Sequence, residues 1–460
     1  MTMQHTCGRA ALSALLAILA PAAMAGIPIQ HWAQPGGVQV YLVESHAVPM
    51  LDVQIDFDAG SRRDPPAQAG LASVTAGMSA KGIRAATPGA RGAAPAYAAA
   101  LDENGLSDAW ADLGASFGAS ASPDRMSFAL RSLTYPDLLD KAVVLAARQL
   151  AEPSFPKPVW RRERQRLVAE LREDKTRPAS VAGHAFARAV YGQHPYGAQI
   201  TEATLARIGV ADMRALYARA IQPCRAKVTL VGAVTRAQAE TLVTRLFARF
   251  PAHSSDAACA ALPAVPEVAP LAAAVEQRIP FDSAQAHVMI GQPGYRRSDP
   301  DYFALTVGNY ILGGGGFVSR LTAEVREKRG LSYSVYSYFN PGLHAGAFTL
   351  GLQTRPDQAA QAVQVARDVL SRFVAEGPTE AELAAAKNYL VGSFALRIDN
   401  NRKLLGNVAN MAWHGLPLDY LDGWAQQVQR VTLADIQAAF ARKLQPETMV
   451  TVVLGGQDGK

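Results

Sequence analysis

The segment Val210-Ala-Asp-Met-Arg-Ala-Leu-Tyr-Ala-Arg-Ala-Ile-Gln-Pro223 returns later in the chain as Leu433-Ala-Asp-Ile-Gln-Ala-Ala-Phe-Ala-Arg-Lys-Leu-Gln-Pro446. Each copy runs into a valine-rich stretch ending in glycine, Val228–Gly232 and Val450–Gly455. Nearer the start of each unit, Gly60-Ser-Arg-Arg-Asp-Pro65 is echoed by Gly294-Tyr-Arg-Arg-Ser-Asp-Pro300. Both echoes recur after roughly 220–235 residues, far beyond a solenoid period, so the chain carries a duplicated domain. Pro251–Pro270 is rich in Ala, Pro and Ser without periodicity and reads as a linker. The expected boundaries are 26–250 for the first half, 251–275 for the connection and 276–460 for the second half. A length of 460 residues agrees, because single cores stop growing near ~250–300 residues.

Each half mixes strands with helices. Leu51, Val53, Ile55 and Phe57 alternate with Asp52, Gln54, Asp56 and Asp58, the period of a half-buried strand. Val38–Val43 precedes it and is expected to pair antiparallel with it. Leu138–Leu150 and Pro158–Asp174 carry helical signals, the latter with proline suited to a first turn. Ser319–Lys328 reads as a helix closed by Gly330, and Leu331–Phe339 as a strand. Locally pairing strands interrupted by helices predict an α+β fold of two domains, each a mainly antiparallel sheet packed with helices.

Composition narrows the function classes. The chain is 49% hydrophobic and 18% charged, which excludes a disordered polymer. Its 45 Lys+Arg are interleaved with 39 Asp+Glu for a net +6, a solvated surface rather than a nucleic-acid face. At the N-terminus, Arg9 opens a basic region, Ala10–Ala20 is apolar and Ala23-Met24-Ala25 supplies a small-x-small cleavage pattern. Residues 1–25 are therefore expected to be a removed signal peptide, with the mature protein periplasmic. No later stretch is long and apolar enough to span a membrane. Three cysteines exclude a disulfide scaffold; Cys224 and Cys259 are open either to a disulfide or to two free buried thiols.

The most distinctive segment is Ile311-Leu-Gly-Gly-Gly-Gly-Phe-Val-Ser-Arg-Leu-Thr-Ala-Glu-Val-Arg-Glu-Lys-Arg-Gly-Leu-Ser-Tyr-Ser-Val335. A phosphate loop is excluded, because the glycines are consecutive and no Gly-Lys-Ser/Thr follows. Through Leu312–Gly315, Ser319–Leu321 and Arg326–Tyr333 the segment resembles the C-terminal domain of the pitrilysin/insulinase family of zinc peptidases, the inverzincins, which include the mitochondrial processing peptidases. The resemblance covers roughly the whole mature chain.

The resemblance implies a zinc motif H-x-x-E-H on a helix, with a further Glu ligand on a later helix. In the matching frame, Gly70 to Met78, the family's His, Glu and His positions hold Ser73, Ala76 and Gly77. Alanine moves no proton and glycine has no side chain, so this chain is expected to hold no metal. Glu163 and Glu170 resemble the family's later pair of carboxylates. Two helical turns apart, they share a face laced with Arg162, Arg164 and Arg166. His194, in His194-Pro-Tyr-Gly197, is expected to be structural. What the resemblance leaves intact is Arg326 and Tyr333, which in complete enzymes come from the half opposite the zinc and clamp the substrate carbonyl. The implied function is the non-zinc subunit of a heterodimeric peptidase, with zinc and the glutamate base in a homologous partner chain. The alternative is a non-catalytic relative that binds peptides or scaffolds an assembly. The Ala/Gly/Pro-rich stretch 84–110 is expected to be a long loop near the degenerate motif.

Overall fold

The computed structural model describes residues 26–86, 98–250 and 259–456. The expected signal peptide, 87–97 of the Ala/Gly/Pro-rich stretch and 251–258 of the linker lie outside the described residues. The first half runs β1 (Ile29–Ala33), β2 (Gln39–Glu44), β3 (Met50–Phe57), α1 (Leu71–Met78), β4 (Gly82–Ile83), β5 (Leu101–Asp102), α2 (Glu103–Asp112), β6 (Ser116–Ala121), β7 (Met126–Leu133), α3 (Pro136–Ala151), α4 (Lys157–Asp174), α5 (Pro178–Tyr191), α6 (Glu202–Ala206), α7 (Val210–Ala220), β8 (Lys227–Gly232) and α8 (Arg236–Phe247). The second runs β9 (Val275–Ile279), β10 (Ala286–Tyr295), α9 (Tyr302–Asn309), β11 (Ser334–Phe339), β12 (Gly346–Thr354), α10 (Ala359–Glu376), α11 (Glu380–Gly392), α12 (Asn401–His414), α13 (Tyr420–Arg430), α14 (Leu433–Lys443) and β13 (Val450–Leu454).

Two large sheets result, ordered β1-β2-β8-β3-β7-β6 and β11-β12-β10-β13-β9. Every pairing within them is antiparallel except β2 with β8 and β9 with β13. The repeated segments occupy the same place in both halves. Each forms the helix before a sheet strand, α7 before β8 and α14 before β13. Each also buries an arginine after an inner strand, Arg62 after β3 and Arg297 at the end of β10. The α+β fold with mainly antiparallel sheets is what the patterning predicted.

Three local expectations are corrected. β2 does not pair with β3; β8 inserts between them, parallel to β2 and antiparallel to β3. The cause is that Val228, Leu230 and Val231 are buried almost completely, so this segment belongs at a sheet centre. The polar side of β3 does not face solvent either: Asp52 is 4% exposed and Asp56 1%. Asp56 accepts bonds from Ser127 (2.5 Å), Gln54 and Arg125 (3.1 Å), which makes its burial tolerable. Lastly, the helix expected over Ser319–Lys328 is π-helical across Thr322–Glu327.

What covers β3 comes from the other half. α12 lies across β3 and β8, and reciprocally α5 of the first half lies across β10 and β13. Phe186 of α5 sits over Gly291, while Ala182 and Val190 cluster with Val450, Val452 and Leu454. At the far end of α12, Lys227 donates to the carbonyls of Ala412 (2.6 Å) and Trp413 (3.1 Å), a cation at the negative pole of a helix. Each sheet is thus sandwiched between its own helices and one borrowed helix. A disulfide joins Cys224 to Cys259, with Cα atoms 6.0 Å apart, fastening the linker to the first half.

Candidate functional site

α1 begins at Gly70, whose φ of +103° suits glycine, and is capped from outside by Asp64. That carboxylate accepts from the amides of Gly70 and Ala72, each at 2.9 Å; burial pushes it up to about 6. Ser73 and Gly77 are one turn apart on the exposed side of α1, while Ala76 faces inward at 1% exposure. Space does not demand glycine at 77, since a Cβ there would meet nothing within 4 Å. Neither Ser73 nor Gly77 carries an imidazole or carboxylate that could ligate a metal.

The carboxylates of α4 are committed elsewhere. Glu163 is met by Arg162 (3.0 Å), Arg166 (2.9 Å) and Lys81 (3.7 Å), and Arg166 also holds Glu170. Glu103, at the start of α2, closes the cluster by accepting from Lys81 and Arg162, each at 2.5 Å. Its cationic neighbours hold Glu103 below the usual carboxylate range. Three cations therefore balance three carboxylates beside the degenerate motif. Among the described residues no group of three or more His, Cys, Asp or Glu could hold a metal ion. The residues present do not fit zinc. Glu103 escaped the sequence reading because it lies in the stretch expected to be loop; from residue 103 onward that stretch is the helix α2. Asp102 capping the amide of Gly105 at 2.9 Å was the legible signal.

His194 caps a short turn: its Nδ1 accepts from the Tyr196 amide at 3.1 Å and its Nε2 lies 3.0 Å from the carbonyl of Pro266. Burial holds its pKa below the usual histidine value. The ring joins the first half to the linker.

In the second half, a π-helical turn over Tyr310–Gly314 leads into a tight turn at Gly316–Val318. Gly313 packs against Ser337 so closely that a Cβ would lie 2.5 Å from its amide nitrogen. Ser319, fully buried, ties the turn by donating from Oγ to the carbonyl of Gly316 at 2.8 Å. This rigid base lifts Phe317 (70% exposed) and Val318 (74%) into solvent. Arg326 lies between two rings, its guanidinium carbon 4.8 Å from the centroid of Phe317 and 5.0 Å from that of Tyr333. Tyr333 is 81% exposed. No carboxylate of the described residues pairs with Arg326, so its guanidinium keeps its hydrogen-bonding capacity for something outside the chain. The structure brings Arg326 and Tyr333 together. Phe317 was not singled out from sequence, because only the folded turn shows the ring against Arg326.

A family profile described as the peptidase M16 inactive domain matches residues 207–390. A crystal structure of a peptidase M16 inactive domain from Pseudomonas fluorescens superposes with a TM-score of 0.84 at 33% identity, covering 94% of this chain and 98% of that one. The periplasmic protease PqqL of Escherichia coli shares the fold, with a TM-score of 0.76 at 17% identity over 93% of this chain and 45% of that protein. An uncharacterized zinc protease of Streptomyces coelicolor is 29% identical over 280 residues. The match spans only 60% of that relative's length. The non-peptidase homolog YmxG of Helicobacter pylori is 34% identical over 160 residues, 34% of this chain and 36% of that protein. The duplicated sheets, the family profile and the 33% identical match to a solved inactive domain place this chain in the M16 peptidase family, among its inactive members.

Proposed function

We propose that this chain is the zinc-less subunit of a two-chain peptidase, presenting Arg326 and Tyr333 to the carbonyl of a peptide held between the subunits. The observation that carries the reading is a contrast within one molecule. The carboxylates of α4 are neutralised by a closed ion cluster, whereas Arg326 has no ion pair among the described residues and stands between exposed rings. A guanidinium and a phenol are donors suited to an oxygen that gains negative charge, and they act strongly once a second subunit excludes water. The homologous partner brings zinc and the base. The mature chain works in the periplasm, as the leader over residues 1–25 suggests.

A second reading, a peptide-binding or assembly-scaffolding protein without catalysis, is favoured by the relative named a non-peptidase homolog. Purification of the tagged chain from its native host separates the two. The first reading expects a homologous co-purifying chain with H-x-x-E-H and about one zinc per pair; a metal-free preparation with no such partner and no peptide cleavage refutes it.

A further inference from the structure

The two halves are copies, yet their sheets differ by one strand. In the first sheet β2, parallel to β8, is covered on its outer side by β1, antiparallel from Ile29↔Val43 to Ala33↔Gln39. In the second sheet β9 holds the place of β2, parallel to β13, and is the last strand among the described residues. Val275 donates to Met449, and Ile279 accepts from Gly455. By alternation Val275, Gln277 and Ile279 face β13, so Glu276 and Arg278 turn their amides and carbonyls to the open side.

Both faces beside that open edge are hollow. On the α10 side a cavity of about 230 Å³ is lined by Glu276, Arg278, Gln364 and Arg367. On the α5 side one of about 410 Å³ is lined by Val181, Ala185, Ile200, Gln277 and Ile279. Charged side chains are one way to close an edge. Here Glu276 is drawn back to Arg367 at 3.2 Å, and the strand carries neither proline nor bulge. The side chain of Arg278 has no partner among the described residues and remains available to an acid.

We propose that the edge of β9 is a strand-addition site for an extended segment of a partner polypeptide, with aliphatic side chains toward α5 alternating with acidic ones toward Arg278. The added strand takes the place that β1 fills in the first half and runs antiparallel to β9. Backbone bonds to Glu276 and Arg278 supply affinity, and the two cavities read alternate side chains. This site is separate from Arg326 and does not depend on any cleavage reaction.

The test uses the full chain and a short fluorescent peptide of alternating glutamate and valine, with a lysine–valine peptide as control. Anisotropy should show saturable binding of the acidic peptide, at least about tenfold weaker for the basic one. Amide exchange at Glu276 and Arg278 should be fast in the free protein and slowed by the peptide. Arg278→Pro removes one outward amide and leaves the ladder to β13 intact; with an unchanged melting profile it should lose about tenfold in affinity. Arg278→Glu should invert the preference between peptides. The proposal is overturned if neither peptide binds at millimolar concentration. Equal binding by Arg278→Pro overturns it too, as does protection of these amides in the free protein, whether by self-association or by the chain's own residues.

Discussion

Replacing Arg326 by alanine tests the functional reading most directly, because the structure separates its folding role from its chemical one. In the fold the guanidinium makes two ring contacts, at 4.8 and 5.0 Å, and no ion pair among the described residues. Exposed cation–π contacts contribute about 0.5 kcal/mol each, so Arg326→Ala should cost about 1 kcal/mol of stability. In the proposed complex the same group stabilises negative charge on the substrate oxygen, and loss of one such donor lowers kcat by about 100-fold, or ~2.7 kcal/mol. KM should move little, since the bond strengthens only as charge develops. Arg326→Lys keeps the charge but loses the planar fork, and should fall between the two. The assay mixes this chain with its zinc-bearing partner and follows a quenched fluorescent peptide, with subunit affinity measured alongside. If the alanine variant still binds the partner and cleaves within twofold of the parent rate, Arg326 does not act on the substrate and the clamp is wrong.

Acid should loosen the junction between the halves. Burial and the nearby Arg297 push His414, at the end of α12, down to about 4, so its neutral form contributes stability above pH 6.5 that is lost as pH falls toward 4. Discounted for partial exposure the loss is about 2 kcal/mol, and His414→Gln should flatten that part of the denaturation-midpoint profile; an unchanged profile removes His414 as the cause. Writing the family motif back, as Ser73→His with Ala76→Glu and Gly77→His, should not give stoichiometric zinc by elemental analysis, because Arg166 occupies both Glu163 and Glu170. Adding Arg166→Gln should raise zinc content, and tight binding without that change contradicts this account. Reducing the disulfide, or making Cys224→Ser, should lower stability by up to about 4 kcal/mol for a crosslink spanning 35 residues; urea midpoints that do not move would show that the bond constrains nothing.

The duplication, the α+β class and the nearness of Arg326 to Tyr333 were legible in sequence, because each rests on short-range pattern or on residue identity. The helical signals over Leu138–Leu150 and Pro158–Asp174, the latter with proline suited to a first turn, fall within the observed helices Pro136–Ala151 and Lys157–Asp174. The sheet order was not legible. That β8, distant in sequence, enters between β2 and β3 depends on which apolar strand gains most from a central place, a comparison that spans the whole chain.

The same holds for the charges. Sequence shows Asp52 and Asp56 as the solvent face of a strand, whereas α12 of the other half lies across that strand and both are buried, Asp56 bonded to Ser127 and Asp52 facing Arg131 at 3.3 Å. The cluster of Lys81, Glu103, Arg162, Glu163, Arg166 and Glu170 likewise draws on three separate segments. By itself the sequence determined the duplicated α+β plan and which side chains stand at each position of it. Tertiary structure decided which charges cancel and which, Arg326 and Arg278 among them, are left without an ion pair among the described residues. Coulomb pairing depends on distances of a few ångströms that local pattern does not encode.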